Sequence, residues 1–190
     1  MYYVHLTKAL KILGAFVLIT LGLEIFSATL SYGGNNNLWI FHIHSYLEVL
    51  CFAGIFYLIF EKSPLRHVCL VVIALFFAFG ISYVLYHQSF YQFNSMERGV
   101  EGILMLLLCI LFFGRLLLKL DVPNLLAYPY FWFATGLMIY FSGTLFLFLY
   151  ASKYLAMGDI TYWLIHSLLN ILLNIIFAIT IWKGKKWTSS

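Results

Sequence analysis

Charge is what this chain has least of. Asp, Glu, Lys and Arg make up 9% of its 190 residues, against 64% hydrophobic residues. A soluble domain carries roughly 25% charged residues. Too little polar surface is available to cover a globule in water, which excludes a soluble domain and makes the chain an integral membrane protein, one compact bundle with nothing detachable. Cysteine is also sparse. Cys51, Cys69 and Cys109 sit in apolar runs without a CxxC or a metal-type spacing, so they read as small packing residues. No HExxH is present, and no serine elbow from which a nucleophilic triad could start. "HSLLN" (166–170) matches the His-x-x-x-Asn element of intramembrane CAAX-type proteases, but "MERGVEG" (96–102) does not supply the Glu-Glu-x-x-x-Arg that those enzymes need.

What the chain has in abundance is apolar length. A helix needs about 20 mostly apolar residues to cross a bilayer. Six runs qualify: 9–32, 38–60, 66–88, 96–118, 128–151 and 160–182. The breaks between them carry turn chemistry. "GGNNN" (33–37) is a turn, "EKSPLR" (61–66) holds Pro64, "HQSFYQFN" (87–94) is aromatic and polar, and "KLDVPN" (119–124) holds Pro123. "KYLAMGD" (153–159) ends in Gly158-Asp159, with Asp159 placed to cap the last helix. The expected fold is an all-α, polytopic transmembrane helix bundle of six spans, a single domain over 1–190 with neighbouring spans antiparallel. Lys8 and Lys11 precede the first run, which lacks a small-x-small cleavage site and reads as a retained span.

Basic residues set the orientation. Lys8, Lys11, Lys62, Arg66, Arg115, Lys119, Lys183, Lys185 and Lys186 fall on one side, and Arg98 and Lys153 on the other. The positive-inside rule then puts both termini in the cytoplasm. The net charge of +4 is this topology signal, so no nucleic acid partner is implied. The partners expected are membrane lipids, including anionic lipid near "KGKK" (183–186). Trp39, Trp132, Trp163, Trp182 and Trp187 lie near span ends, as interfacial anchors do.

The polar residues inside the spans gather in the outward half. Glu24 is in span 1, His42, His44 and Glu48 in span 2, Glu97, Arg98 and Glu101 in span 4, Ser142 and Thr144 in span 5, and His166 and Asn170 in span 6, with Asn174 nearer the midplane. Two stretches echo each other: "HIHSYLEVL" (42–50) and "LIHSLLNILLNI" (164–175) both contain Ile-His-Ser-x-Leu, followed by Glu48 and Asn170 one turn after the histidine. His44 and Glu48 share a helix face, as do Glu97 and Glu101. Ionisable groups avoid lipid, so these stripes should line an outward-opening chamber between spans 1, 2, 4 and 6, with spans 3 and 5 at the rim. The alternative is interhelical hydrogen-bond glue for His166, Asn170 and Asn174. Glu97 and Arg98 are near the interface, where being solvated and belonging to the chamber are equally open readings; His87 reads as rim, and His42, His5 and His67 as weaker candidates.

The expected ligand-binding set is His44, Glu48, Glu101, His166, Asn170 and Glu24. A divalent metal on His44, Glu48 and His166 is one form of that site. A b-type haem between His44 and His166 has no further support. Gly80, Gly136 and Gly143 are the sole hints of the broken helices of transporters.

"FHIHSYLEVL" (41–50), "VEGILMLLL" (100–108), "YPYFWFATGLMIYFSGTLFLFL" (128–149) and "WLIHSLLNILLNIIFAI" (163–179) together resemble small six-span membrane proteins of Bacteroidota-type bacteria. They also resemble the membrane sensor segments of some bacterial histidine kinases. The resemblance covers most of the chain and implies a signalling neighbourhood in a bacterial cytoplasmic membrane, not a reaction. Unlike the kinases, this chain ends at Ser190 without a phosphoacceptor domain, so output would pass to a signalling partner protein at the cytoplasmic face. The leading expectation is a sensory module binding a small ligand, proton or metal ion, with spans 2 and 6 repacking. A metal-dependent or lipid-modifying membrane enzyme using the same His/Glu cluster, and a structural partner subunit, are the alternatives.

Overall fold

The structure is a computed structural model and describes residues 6–86, 90–119, 122–156 and 161–187. Six long helices account for nearly all of it: α1 (Lys8–Tyr32), α2 (Leu38–Ile59), α3 (Leu65–Tyr86), α4 (Ser95–Lys119), α5 (Pro129–Ala156) and α6 (Thr161–Trp187). Each contains a segment long and apolar enough to cross a membrane. The chain is an all-α integral membrane protein of six spans.

The helix ends show why the breaks fall where they do. Thr7 caps α1 by accepting from the Leu10 amide at 3.4 Å. Gly34 turns the chain with φ +72, a conformation costly for any residue with a Cβ. Asn36 Oδ1 then accepts the Leu38 amide at 2.8 Å, and Asn37 Nδ2 reaches back to Ser27 Oγ at 2.9 Å, pinning the turn to α1. Pro64 and Pro129 stand at the starts of α3 and α5, where a missing amide proton costs nothing. α5 and α6 run five residues beyond the expected ends at 151 and 182. In α6 the extension is "KGKKW", where lysines are good helix formers and favour the negative end of the helix dipole. The expected cap Asp159 and the rim residue His87 lie outside the described residues.

The helices form a closed ring in chain order, α1 packing on both α2 and α6, while α2 also reaches across to α4. Below the level of Thr20 the interior is aromatic. Phe52 of α2 is its centre, with ring centroids 4.7 Å from Phe16, 5.7 Å from Phe177 and 6.0 Å from Phe133. All four are buried. This plug holds α1, α2, α5 and α6 together at the end of the bundle where most basic residues cluster.

Gly136 allows α6 to approach α5 closely. A methyl group there would lie 2.8 Å from Ile176 Cγ2. The transporter hint is thereby answered: α3 and α5 are continuous, and their glycines make room for neighbours. Cys69 and Cys109 are buried, Cys51 is half-buried, and all three are free thiols.

Candidate functional site

The polar residues occupy the other half of the bundle and divide into two networks. The first joins α2 to α4. His42 Nε2 donates to the Gln92 carbonyl at 3.0 Å, and Nδ1 lies 2.6 Å from Glu97 Oε2. A carbonyl can only accept, so the Nε2 proton is fixed. A second proton must then lie between Nδ1 and Oε2, whichever atom carries it. The Tyr46 hydroxyl donates to Glu97 Oε1 at 3.3 Å. Gly80 of α3 backs this pair, and a methyl there would sit 3.2 Å from Glu97 Oε1. Asn94 adds donors to the Phe41 carbonyl at 3.0 Å and to Ser45 Oγ at 2.9 Å.

This network settles the open reading of Glu97 and Arg98 as buried, and corrects the expectation of a weak His42. His42 and Glu97 are both fully buried, and Arg98 is 3% exposed. The cause is a roof. The segment 90–94, just ahead of α4, lies against the start of α2: the Gln92 carbonyl bonds His42, the Asn94 amide bonds the Phe41 carbonyl, and the Phe90 ring stacks on His42 at 4.8 Å. Tyr46 and Asn94 are therefore functional in the architecture without having been singled out in the sequence. An Asn three residues ahead of Glu97, at the start of a helix, was the available signal for Asn94.

The second network centres on Arg98. Its guanidinium donates to Glu48, to Glu101 Oε2 at 3.2 Å and to His44 Nδ1 at 3.1 Å. His44 Nδ1 is also 3.5 Å from Glu48 Oε2. Two buried carboxyl groups share one guanidinium, whose single charge balances one carboxylate in a low-dielectric interior. Glu97 and Glu101, one turn apart on α4, thus serve different networks.

On the far side of Arg98 from the carboxylates lies a cavity of about 360 Å³. Its wall includes Glu24, His44, Arg98, Tyr140, His166 and Asn170. Asn170 Nδ2 donates to Glu24 Oε1 at 3.1 Å, a bond that ties α6 to α1. Asn174 Nδ2 donates to Asn170 Oδ1 at 3.0 Å, which orients that amide. The Tyr140 hydroxyl is 3.3 Å from His166 Nε2.

Of the six sequence candidates, His44, His166, Asn170 and Glu24 therefore meet at one cavity. Glu48 and Glu101 do not line it. They lie behind Arg98, 2% and 0% exposed, and act through the guanidinium. The wall also differs in its helices, because α5 contributes Tyr140 directly while α3 contributes nothing. The two echoed histidines enter at similar depth, about 9 Å from the start of α2 and about 8 Å from the start of α6. Their helices meet below the cavity, at Phe52 and Phe177.

The metal set His44, Glu48 and His166 is not assembled. Among the described residues no three His, Cys, Asp or Glu side chains come together as metal ligands. The donor chemistry explains it: Arg98 occupies Glu48 and directs its N–H at His44 Nδ1, so the two lone pairs that would face an ion face a cation instead. Comparison of the chain with protein-family models, curated proteins and solved structures gives no match.

Proposed function

We propose that this chain is a sensory module of a bacterial cytoplasmic membrane, with both termini cytoplasmic. It binds a small ligand in the cavity and signals occupancy to a partner protein at the cytoplasmic face. The observation that carries the reading is the cavity itself, with Glu24, His44, Arg98, His166 and Asn170 converging on it from four helices. A few convergent polar groups on an otherwise apolar concave wall are the usual form of a small-molecule site. The α2–α4 network is read as structure, because His42 and Glu97 are fully buried and each is held by partners within the bundle. The answer to the echoed stretches is thus divided: His42 is glue, while His44 and His166 belong to a site.

The route of the signal follows from where the walls are held. α1 buries side chains at Ala9, Leu10, Leu13, Phe16 and Thr20, and its remaining half touches the bundle more loosely. α1 and α6 are packed together at the basic end, where Leu10 meets Gly184. Separation of their other ends by a ligand pivots both helices about the aromatic plug.

The test uses the full chain in nanodiscs, with Cys51→Ala and spin labels at Lys11→Cys and Lys183→Cys. Adding the small-molecule extract of cells that carry the protein shifts the α1–α6 distance distribution, and Ala28→Trp, which fills the cavity, abolishes the shift. An extract that leaves the distribution unchanged opposes the reading.

A further inference from the structure

We infer that the cavity takes an amphiphile with an amine head, its ammonium on Glu24 and its apolar body against the walls of α1 and α2. The inference rests on the receptor reading above and names its ligand class. It comes from the distribution of charge. Glu24 lies about 12 Å along α1 from the Tyr32 end, well within a span. A carboxylate at that depth needs a cation, a proton or water. Asn170 supplies one neutral hydrogen bond. Among the described residues no Lys, Arg or His nitrogen pairs with Glu24.

Arg98 does not reverse that balance. It is the one guanidinium on the cavity wall, but Glu48, Glu101 and His44 engage its terminal nitrogens. Its Nε is buried, with no hydrogen-bond partner. A ligand carboxylate therefore meets no uncommitted cation, while a ligand ammonium meets an uncommitted carboxylate. His44 turns its Nε2–H away from Arg98, and this donor suits a hydroxyl or carbonyl on the same ligand.

The rest of the wall sets the body of the ligand. Leu23, Ala28, Ile40 and Phe41 line the cavity between the polar groups. On the outer face of the same stretch of α1, Leu21, Ile25 and Phe26 are exposed, as membrane-facing side chains. A site with apolar walls inside the thickness of the membrane favours a molecule that already partitions there. The ammonium competes with Asn170 Nδ2 for Glu24, so binding loosens the bond that ties α6 to α1.

The test is a binding panel on the full chain in nanodiscs of uncharged-headgroup lipid: octylamine, octanol and octanoate, followed by calorimetry. Specific binding is the part that Ala28→Trp removes. Octylamine is expected to bind best, and Glu24→Gln to weaken it about tenfold, the loss of one charge-assisted contact, with octanol changed less than about twofold. Asn170→Ala removes the competitor and strengthens octylamine binding. Should octanoate bind best, or Glu24→Gln weaken all three probes equally, the amine assignment is overturned. An extract that shifts the spin-label distance while octylamine shows no Ala28-sensitive binding overturns the amine assignment and leaves the receptor reading standing. Loss of both signals removes both.

Discussion

Arg98 and His44 share a hydrogen bond of 3.1 Å whose direction chemistry decides. A guanidinium has donors and no acceptor, so His44 Nδ1 accepts and the ring proton resides on Nε2. The expected outcome of a nitrogen NMR measurement on histidine-labelled protein is an Nε2–H tautomer for the resonance that vanishes in His44→Gln. Observation of Nδ1–H there would show that Arg98 and His44 are not in contact.

The Arg98 cluster should also dominate stability in this half of the bundle. Breaking a buried ion pair by removing one partner costs about 3–5 kcal/mol, because the other charge is left without compensation. A single hydrogen bond between membrane helices is worth about 0.6 kcal/mol. Arg98→Met should therefore destabilise the protein several times more than Asn170→Ala, which removes the α6–α1 bond to Glu24. Adding Glu48→Gln and Glu101→Gln to Arg98→Met should recover much of the loss, since the orphaned charges go with it. Reversible unfolding in mixed micelles measures all four proteins. Equal stability of Arg98→Met and the parent chain would refute a buried cluster.

Gly80 and Tyr46 offer a sharper test of the first network. A Cβ at Gly80 would collide with the Tyr46 hydroxyl and lie 3.0 Å from its Cζ. Gly80→Ala should cost about 1–2 kcal/mol, the overpacking penalty less the gain in helix propensity. Tyr46→Phe removes the colliding oxygen together with a weak bond to Glu97. The double variant should therefore be less destabilised than the sum of the two single variants, a coupling read from a double-mutant cycle. Strict additivity would place Tyr46 away from Gly80.

The spans were legible because length and apolarity alone specify them, and their six-fold count follows. The gathering of polar residues at one end was legible for the same reason, since antiparallel spans assign each residue a depth. Partners were not. α2 carries polar side chains at 42, 44, 45, 46 and 48, which point around most of its circumference. Which of them meets α4 depends on how α2 is rotated among the helices packed around it, and periodicity carries no information about that. Glu97 and Arg98 stayed open between a solvated and a buried role because depth can be counted only from the helix end. The loop 90–94 lies against the start of α2, and it does so through the carbonyl of Gln92 and the amide of Asn94. Backbone carbonyls leave no mark in a sequence.

The seam between α5 and α6 makes the last prediction an ordering. A methyl at Gly136 would meet Ile176 at Cγ2 and at Cβ, the latter 3.3 Å away. Ile176 is β-branched, so its side chain cannot swing aside without a rotamer change. A methyl at Gly143 would lie 2.9 Å from Leu169 Cδ1, the mobile end of an unbranched-at-Cβ side chain that can retreat. At Gly114 nothing lies within 4 Å. Gly136→Ala should therefore cost most, about 1–3 kcal/mol. Gly143→Ala should cost less, and Gly114→Ala should be neutral or stabilising by up to about 1 kcal/mol through helix propensity. Gly114, on α4, is the reference: all three variants add the same methyl group, so the excess cost at Gly136 and Gly143 over Gly114 reports how closely α6 approaches α5 at each level. Equal effects at Gly136 and Gly114 would mean that α5 and α6 are not in contact at Ile176. The cavity wall carrying His166 and Asn170 would then lack the support that holds it opposite Glu24.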